Sequence, residues 1–156
     1  MANAETVDAV EVEVRIAASP ETVFDFFTEP GLMVQWMGRT AELDPRPGGG
    51  FRTEINDEAI ASGSYVAVER PDRVVFTWGW NSEDSLTPAG STTVEVLLGA
   101  DGDGTRLRLI HRDLPSAESA GKHDHGWRHY TERLGIAAAG GDPGPDEFAA
   151  PHGEKN

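Results

Sequence analysis

The chain contains no cysteine, which excludes disulfides, thiolate catalysis and cysteine-ligated zinc or iron–sulfur sites. Positive charge is scarce: 13 Lys and Arg stand against 27 Asp and Glu, for a formal net charge of −14. Phosphate backbones and anionic lipid surfaces are met first by clusters of Lys and Arg, so neither nucleic acid nor a membrane is an expected partner. Long hydrophobic runs are missing as well. No segment approaches the ~18 apolar residues that a membrane span needs, and Met1 to Asp8 carry no apolar signal core. The expectation left by these absences is a cytoplasmic protein whose fold stands on packing alone.

What is present fits one domain, because 156 residues can bury most of their foldable surface in a single core. Val10, Val12, Val14 and Ile16 alternate with Glu11, Glu13 and Arg15, the period of a strand with one wet face. Ser19 before Pro20 reads as a helix cap, and Val23, Phe26 and Phe27 follow at helical spacing to about Thr28. Pro30 interrupts that helix, and Leu32, Met33, Trp36 and Met37 suggest a second short one. Strands follow near 41–44, 51–56, 60–68, 74–80, 92–98 and 105–112, separated by turn-forming segments such as Arg70-Pro71-Asp72 and Asp101-Gly102-Asp103-Gly104. After Pro115 a helix is expected to about Ala139, weakened by Gly121, Gly126 and Gly135. Residues 1–8 and the tail 140–156 are too polar, or too rich in helix breakers, to be expected in the fold, so the domain spans 9–139.

Strand alternation places Phe76, Trp78 and Trp80 on one side of the sheet, and does the same for Val94, Val96 and Leu98 and for Leu107, Leu109 and His111. On the last helix His123, Trp127, Tyr130 and Leu134 share one stripe. One helix cannot fill a broad curved sheet, and the space between them is the natural place for a ligand. The residues expected to line it are Trp36, Phe51, Thr53, Phe76, Trp78 and Trp80 from the first part of the chain. Val96, Leu109, His111, Trp127 and Tyr130 complete the set. His111, expected beside Tyr130, is the one candidate for acid–base chemistry, and Thr53 and Tyr130 are candidate donors to a ligand carbonyl.

The pattern resembles the activator-of-Hsp90-ATPase-homologue-like branch of the START/Bet v 1 superfamily, the SRPBCC proteins. The resemblance rests on Ala18-Ser19-Pro20-Glu21-Thr22-Val23-Phe24, Trp36, and Pro47-Gly48-Gly49-Gly50-Phe51. It continues through Pro71-Asp72-Arg73-Val74-Val75-Phe76-Thr77-Trp78, Gly104-Thr105-Arg106-Leu107 and His125-Gly126-Trp127. It implies an α+β helix-grip fold: a curved antiparallel sheet of about seven strands around a long C-terminal helix, two short helices after the first strand, and a hydrophobic cavity beneath the long helix. Relatives of this fold carry lipids, bind hormones or cyclise polyketides, so fold alone does not give function.

The expectation drawn from these features is binding of a small hydrophobic molecule, aromatic, polyketide-like or lipid-like, by a carrier, sensor or sequestering protein. A cofactor-independent cyclase or lyase using His111 is the alternative, and contact with an Hsp90-type chaperone a lesser one. Monomer and homodimer are both open. His125 and His129 stand at i and i+4, but with no third ligand in place they read as a solvated helix start, and neither metal nor cofactor is expected. The Asp101–Gly104 run lacks the rest of a calcium loop, and the triple glycine at 48–50 leads into a strand with no Lys-Ser or Lys-Thr.

Overall fold

The structure is a computed structural model that describes residues 9–81 and 87–146. The chain runs β1 (Val10–Ile16), α1 (Pro20–Asp25), α2 (Pro30–Met33), β2 (Thr40–Leu43), β3 (Gly50–Glu54), β4 (Ile60–Glu69), β5 (Arg73–Trp78), β6 (Thr92–Asp101), β7 (Gly104–Arg112) and α3 (Ala117–Ala138). The strands form one antiparallel seven-stranded sheet in the order β1-β7-β6-β5-β4-β3-β2. Apart from the pairing of β1 with β7, every neighbour in the sheet is also a neighbour in sequence, so short turns fix most of the register.

The helices start where their side chains can accept the orphan amide protons of a first turn. Ser19 Oγ accepts from the Thr22 amide at 3.2 Å, and Ser116 Oγ accepts from the Ser119 amide at 3.1 Å. Pro30 does not simply end α1; it occupies the first turn of α2, where its missing N–H costs nothing. The carbonyls after α1 are taken up from elsewhere in the core: Trp36 Nε1 donates to Phe26 O at 3.0 Å and the Tyr65 hydroxyl donates to Phe27 O at 2.8 Å. Tyr65 points inward in phase with Ala61, and a register shift between Tyr65 and Ala67 then resets the alternation so that Val68 also packs against the core while Val66 stays outside.

On the inner face, Val12, Ile16, Phe51, Phe76, Val94, Val96, Leu107 and Leu109 join Phe24, Phe27, Met33, Trp36 and Leu134 in one core. The outer face is laced by charge. Glu95, only 14% exposed, lies between Arg73 and Arg112, and hydrogen bonds from Arg112 and then Arg73 hold its carboxyl below the usual range. The tightest backbone packing of α3 is against β1 at the sheet's edge. Toward the sheet centre, helix and strands are joined by large side chains instead.

The segment after α3, read from sequence as a tail outside the fold, lies back across the helix as far as Asp146. Arg133 Nη1 donates to Gly144 O at 3.0 Å while its Nε donates to Trp36 O at 3.1 Å. The N-terminal residues 1–8 and the tail beyond Asp146 lie outside the described residues.

The fifth strand also ends earlier than its aromatic period suggests. Pairing stops at Trp78, and Trp80 makes isolated bridges to Ala61 and Pro88. Gly79 is the reason the chain can turn there, since a Cβ at this position would sit 1.7 Å from the Pro88 carbonyl oxygen. Gly79→Ala is therefore expected to push residues 87–90 off the strand and destabilise the protein by about 1–3 kcal/mol. Thermal unfolding, with tryptophan emission from Trp78 and Trp80 as the local reporter, checks this.

Candidate functional site: an aromatic enclosure beneath the C-terminal helix

Trp78 ends β5 on the inner face, opposite Thr92, the first residue of β6. One strand further, Val94 pairs with His111 near the end of β7. Above them, the first half of α3 presents His123 and Trp127, one turn apart. The rings meet closely: Trp78 lies 5.1 Å from Trp127 and 5.4 Å from Trp80, and His111 lies 4.8 Å from His123, centroid to centroid. Edge-to-face or tilted contacts of this kind are the favourable arrangements for aromatic rings.

Apart from the Trp78 indole N–H, the polar atoms of these rings are paired in chains that fix each proton. The Trp127 indole can only donate, so its 2.9 Å contact makes His111 Nδ1 the acceptor. His111 Nε2 must then carry the proton and donate to Thr92 Oγ1 at 2.7 Å, whose own proton goes to the Trp78 carbonyl, also at 2.7 Å. His123 is fixed in the opposite tautomer, its Nδ1–H donating to Ser119 O at 2.8 Å and its Nε2 accepting from the Trp80 indole at 3.1 Å. Both histidines are neutral. Burial, reinforced by nearby His123, pushes His111 down to about 2, and burial also lowers His123 against the opposing pull of the Ser119 carbonyl.

This geometry corrects the expected surroundings of His111. Its partner on α3 is Trp127 and not Tyr130, and with both ring nitrogens engaged and its protonation suppressed it is not placed to shuttle a proton. Tyr130 instead donates to Asp146 at 2.8 Å, on the side of α3 where His129 Nε2 meets the same carboxylate at 2.9 Å. Thr53 Oγ1 is turned to the Thr40 carbonyl at 3.4 Å. Neither hydroxyl reaches into the aromatic group.

The eleven residues expected to line a pocket thus fall into separate places. Trp78, Trp80, His111 and Trp127 form the enclosure, with Phe51 and Phe76 stacked at 4.3 Å along its wall. Val96 and Leu109 face each other in the middle of the sheet. Trp36 and Tyr130 pair 6.5 Å apart beside Phe27, and Thr53 belongs to the β2–β3 edge. Two residues that complete the enclosure, Thr92 and His123, were not among the eleven. His123 could have been chosen from its place one turn before Trp127; Thr92 could not, because only strand register sets it opposite Trp78. A separate open groove of about 590 Å³ runs between β1 and α3, lined by Val12, Val14, Ile16, Gly135, Ile136 and neighbours, and none of the eleven lines it.

One β-sheet gripping one long helix, with two short helices closing the end, defines a helix-grip α+β domain. Residues 17–139 match the family described as Activator of Hsp90 ATPase homolog 1-like protein, and the chain belongs to that family. An AHSA1-like protein of Rhizobium etli is similar at 41% identity, over 92% of this chain and 89% of that one, with a TM-score of 0.71. The AHSA1 protein of Silicibacter pomeroyi is 28% identical over 84% of this chain and 97% of its own, with a TM-score of 0.70. DynU16, a protein in the dynemicin biosynthetic locus, shares the fold at 23% identity and a TM-score of 0.75; the match covers 87% of this chain but only 49% of DynU16. No curated protein matches the chain.

The buried neutral histidines give stability a definite pH dependence. Unfolded, each would protonate near 6.5, whereas in the fold His111 stays neutral to about 2. The unfolded chain therefore binds more protons as pH falls, so this stability is complete above the unfolded pKa and is lost progressively below it. His111 alone is expected to remove about 2 kcal/mol between pH 7 and pH 5, before most carboxylates titrate. Urea unfolding across that interval should show the loss, and His111→Asn should be less stable at pH 7.5 but flatter between the two pH values.

Proposed function

We propose that this protein binds a small, neutral, hydrophobic molecule between the aromatic end of its sheet and the first half of α3, acting as a carrier, sensor or sequestering protein. The observation that carries this reading is the concentration of Trp78, Trp80 and Trp127 around two neutral histidines, at the part of the core where α3 and the sheet centre meet through side chains. Aromatic surface with a few fixed polar atoms is what small-molecule sites offer. Among the described residues of the enclosure none is a cation, and this with the net charge of −14 favours an uncharged molecule.

A catalytic reading has less support. His111 has neither a free lone pair nor a titration near neutrality, and among the described residues none of the enclosure's side chains is a carboxylate that could replace it. The helix over the enclosure carries two glycines that its packing does not require. Gly121 and Gly126 lie in the first half of α3, where a Cβ at either position would meet nothing within 4 Å, so packing does not require glycine there. Glycine in a helix interior costs about 0.5–1 kcal/mol relative to alanine. Their presence lowers the cost of lifting this part of the helix to admit a ligand.

Native mass spectrometry of the gently purified protein should reveal a small-molecule adduct that is lost on denaturation. A chain that stays bare, and that also fails to take up a neutral aromatic probe, would overturn the reading. Gly121→Ala with Gly126→Ala should raise unfolding stability by about 1–2 kcal/mol and slow ligand uptake measured by stopped-flow tryptophan fluorescence.

A further inference from the structure

The four tryptophans of the chain differ in one respect that matters for recognition. Trp36 donates to the Phe26 carbonyl, Trp80 to His123 and Trp127 to His111. The Trp78 indole N–H has no partner, and it is the sole buried side-chain N or O atom among the described residues in that condition. Trp78 is 3% exposed, so water at the surface does not serve it. An unmet buried donor gives up its hydrogen bond to water without return, and native proteins keep such groups rarely.

We infer that the Trp78 Nε1–H is a ligand-recognition donor, and that the ligand is a flat, neutral, apolar molecule carrying an acceptor oxygen, such as a ketone, quinone, ester or ether. This rests on the binding reading above and narrows its chemistry. The ring is central to the enclosure, with Phe51, Phe76, Trp80, His111 and Trp127 all within 6.3 Å by centroid. The remaining polar atoms define what is refused. His111 and His123 have both nitrogens engaged, and the Thr92 hydroxyl is both donor and acceptor already. The enclosure therefore offers one vacant donor and no vacant imidazole acceptor. A ligand N–H would meet no free imidazole lone pair there, and among the described residues of the enclosure a carboxylate would find no cation.

The test uses acetophenone and ethylbenzene, two molecules of nearly one shape that differ in a carbonyl oxygen. Both are titrated into the full chain labelled at the indole nitrogens and followed by NMR, with the Trp36 signal as an internal control outside the enclosure. Acetophenone should move the Trp78 indole proton downfield, as a new hydrogen bond does, while ethylbenzene should not. Because the two molecules differ in their own affinity for water, the informative quantity is the ratio of their dissociation constants in wild type compared with Trp78→Phe. That ratio should shift by about tenfold against acetophenone in the variant, the effect of one neutral hydrogen bond to a buried donor.

Saturable binding of both molecules with an unmoved Trp78 signal, or with an unchanged ratio in Trp78→Phe, overturns the donor assignment and leaves the binding reading standing. Binding of neither overturns both. A Trp78 indole proton that exchanges magnetisation with a bound water, and keeps that water when acetophenone is present, also overturns the assignment. Should Trp78→Phe fail to fold, the shift of the Trp78 signal in the intact protein still decides.

Discussion

A line of hydrogen bonds ties the helix to the sheet centre, from the Trp127 indole through His111 and Thr92 to the Trp78 carbonyl. It joins α3, β7, β6 and β5, elements that are not all neighbours in sequence. Its direction follows from chemistry: an indole can only donate and a carbonyl can only accept, so the imidazole and hydroxyl between them have one consistent set of proton positions. A buried network of this kind is worth having only when every member is satisfied. Here the histidine meets that condition by remaining neutral, which ties the fold to pH.

The same line explains why His111 is poorly suited to chemistry despite being a buried imidazole in the centre of the domain. Acid–base work needs a lone pair or proton that can reach a substrate and a pKa near the working pH. His111 has given both nitrogens to structure, and burial has moved its titration far below neutrality. His123 follows the same pattern through Trp80 and Ser119. Two indole–imidazole pairs stand side by side, and the uncommitted indole of Trp78 lies against both indoles.

Away from the enclosure, the fold relies on donors reaching across elements to cover exposed carbonyls. Trp36 and Tyr65 close the end of α1, and Arg133 collects carbonyls from the α2 end and from residues 143–145 in one fork. The Arg133 bonds give a Pro- and Gly-rich segment that has no apolar pattern a defined path across residues 143–145. The outer face shows the complementary device: acidic residues that protect the strands from other chains are matched by arginines on adjacent strands, as with Glu11 and Arg108.

Period and punctuation in the sequence were enough to determine the seven strands, the two short helices, the long helix and the inward direction of Phe76, Trp78, Leu109 and Trp127. Those signals are local: a strand alternates every two residues, a helix repeats near four, and glycine and proline mark the reversals. The aromatic character of the core beneath α3 followed from the same periods. Only the tertiary structure decided that Thr92 stands beside His111, that Trp127 and not Tyr130 is the partner of that histidine, and that Thr53 and Tyr130 spend their protons elsewhere. Only it separated Trp78 from the three tryptophans with partners. The reason is physical. Which face a side chain takes depends on its neighbours in sequence, but which atom it meets depends on strand register and on the rotation of a helix over a sheet, and both are set by the packing of the whole chain.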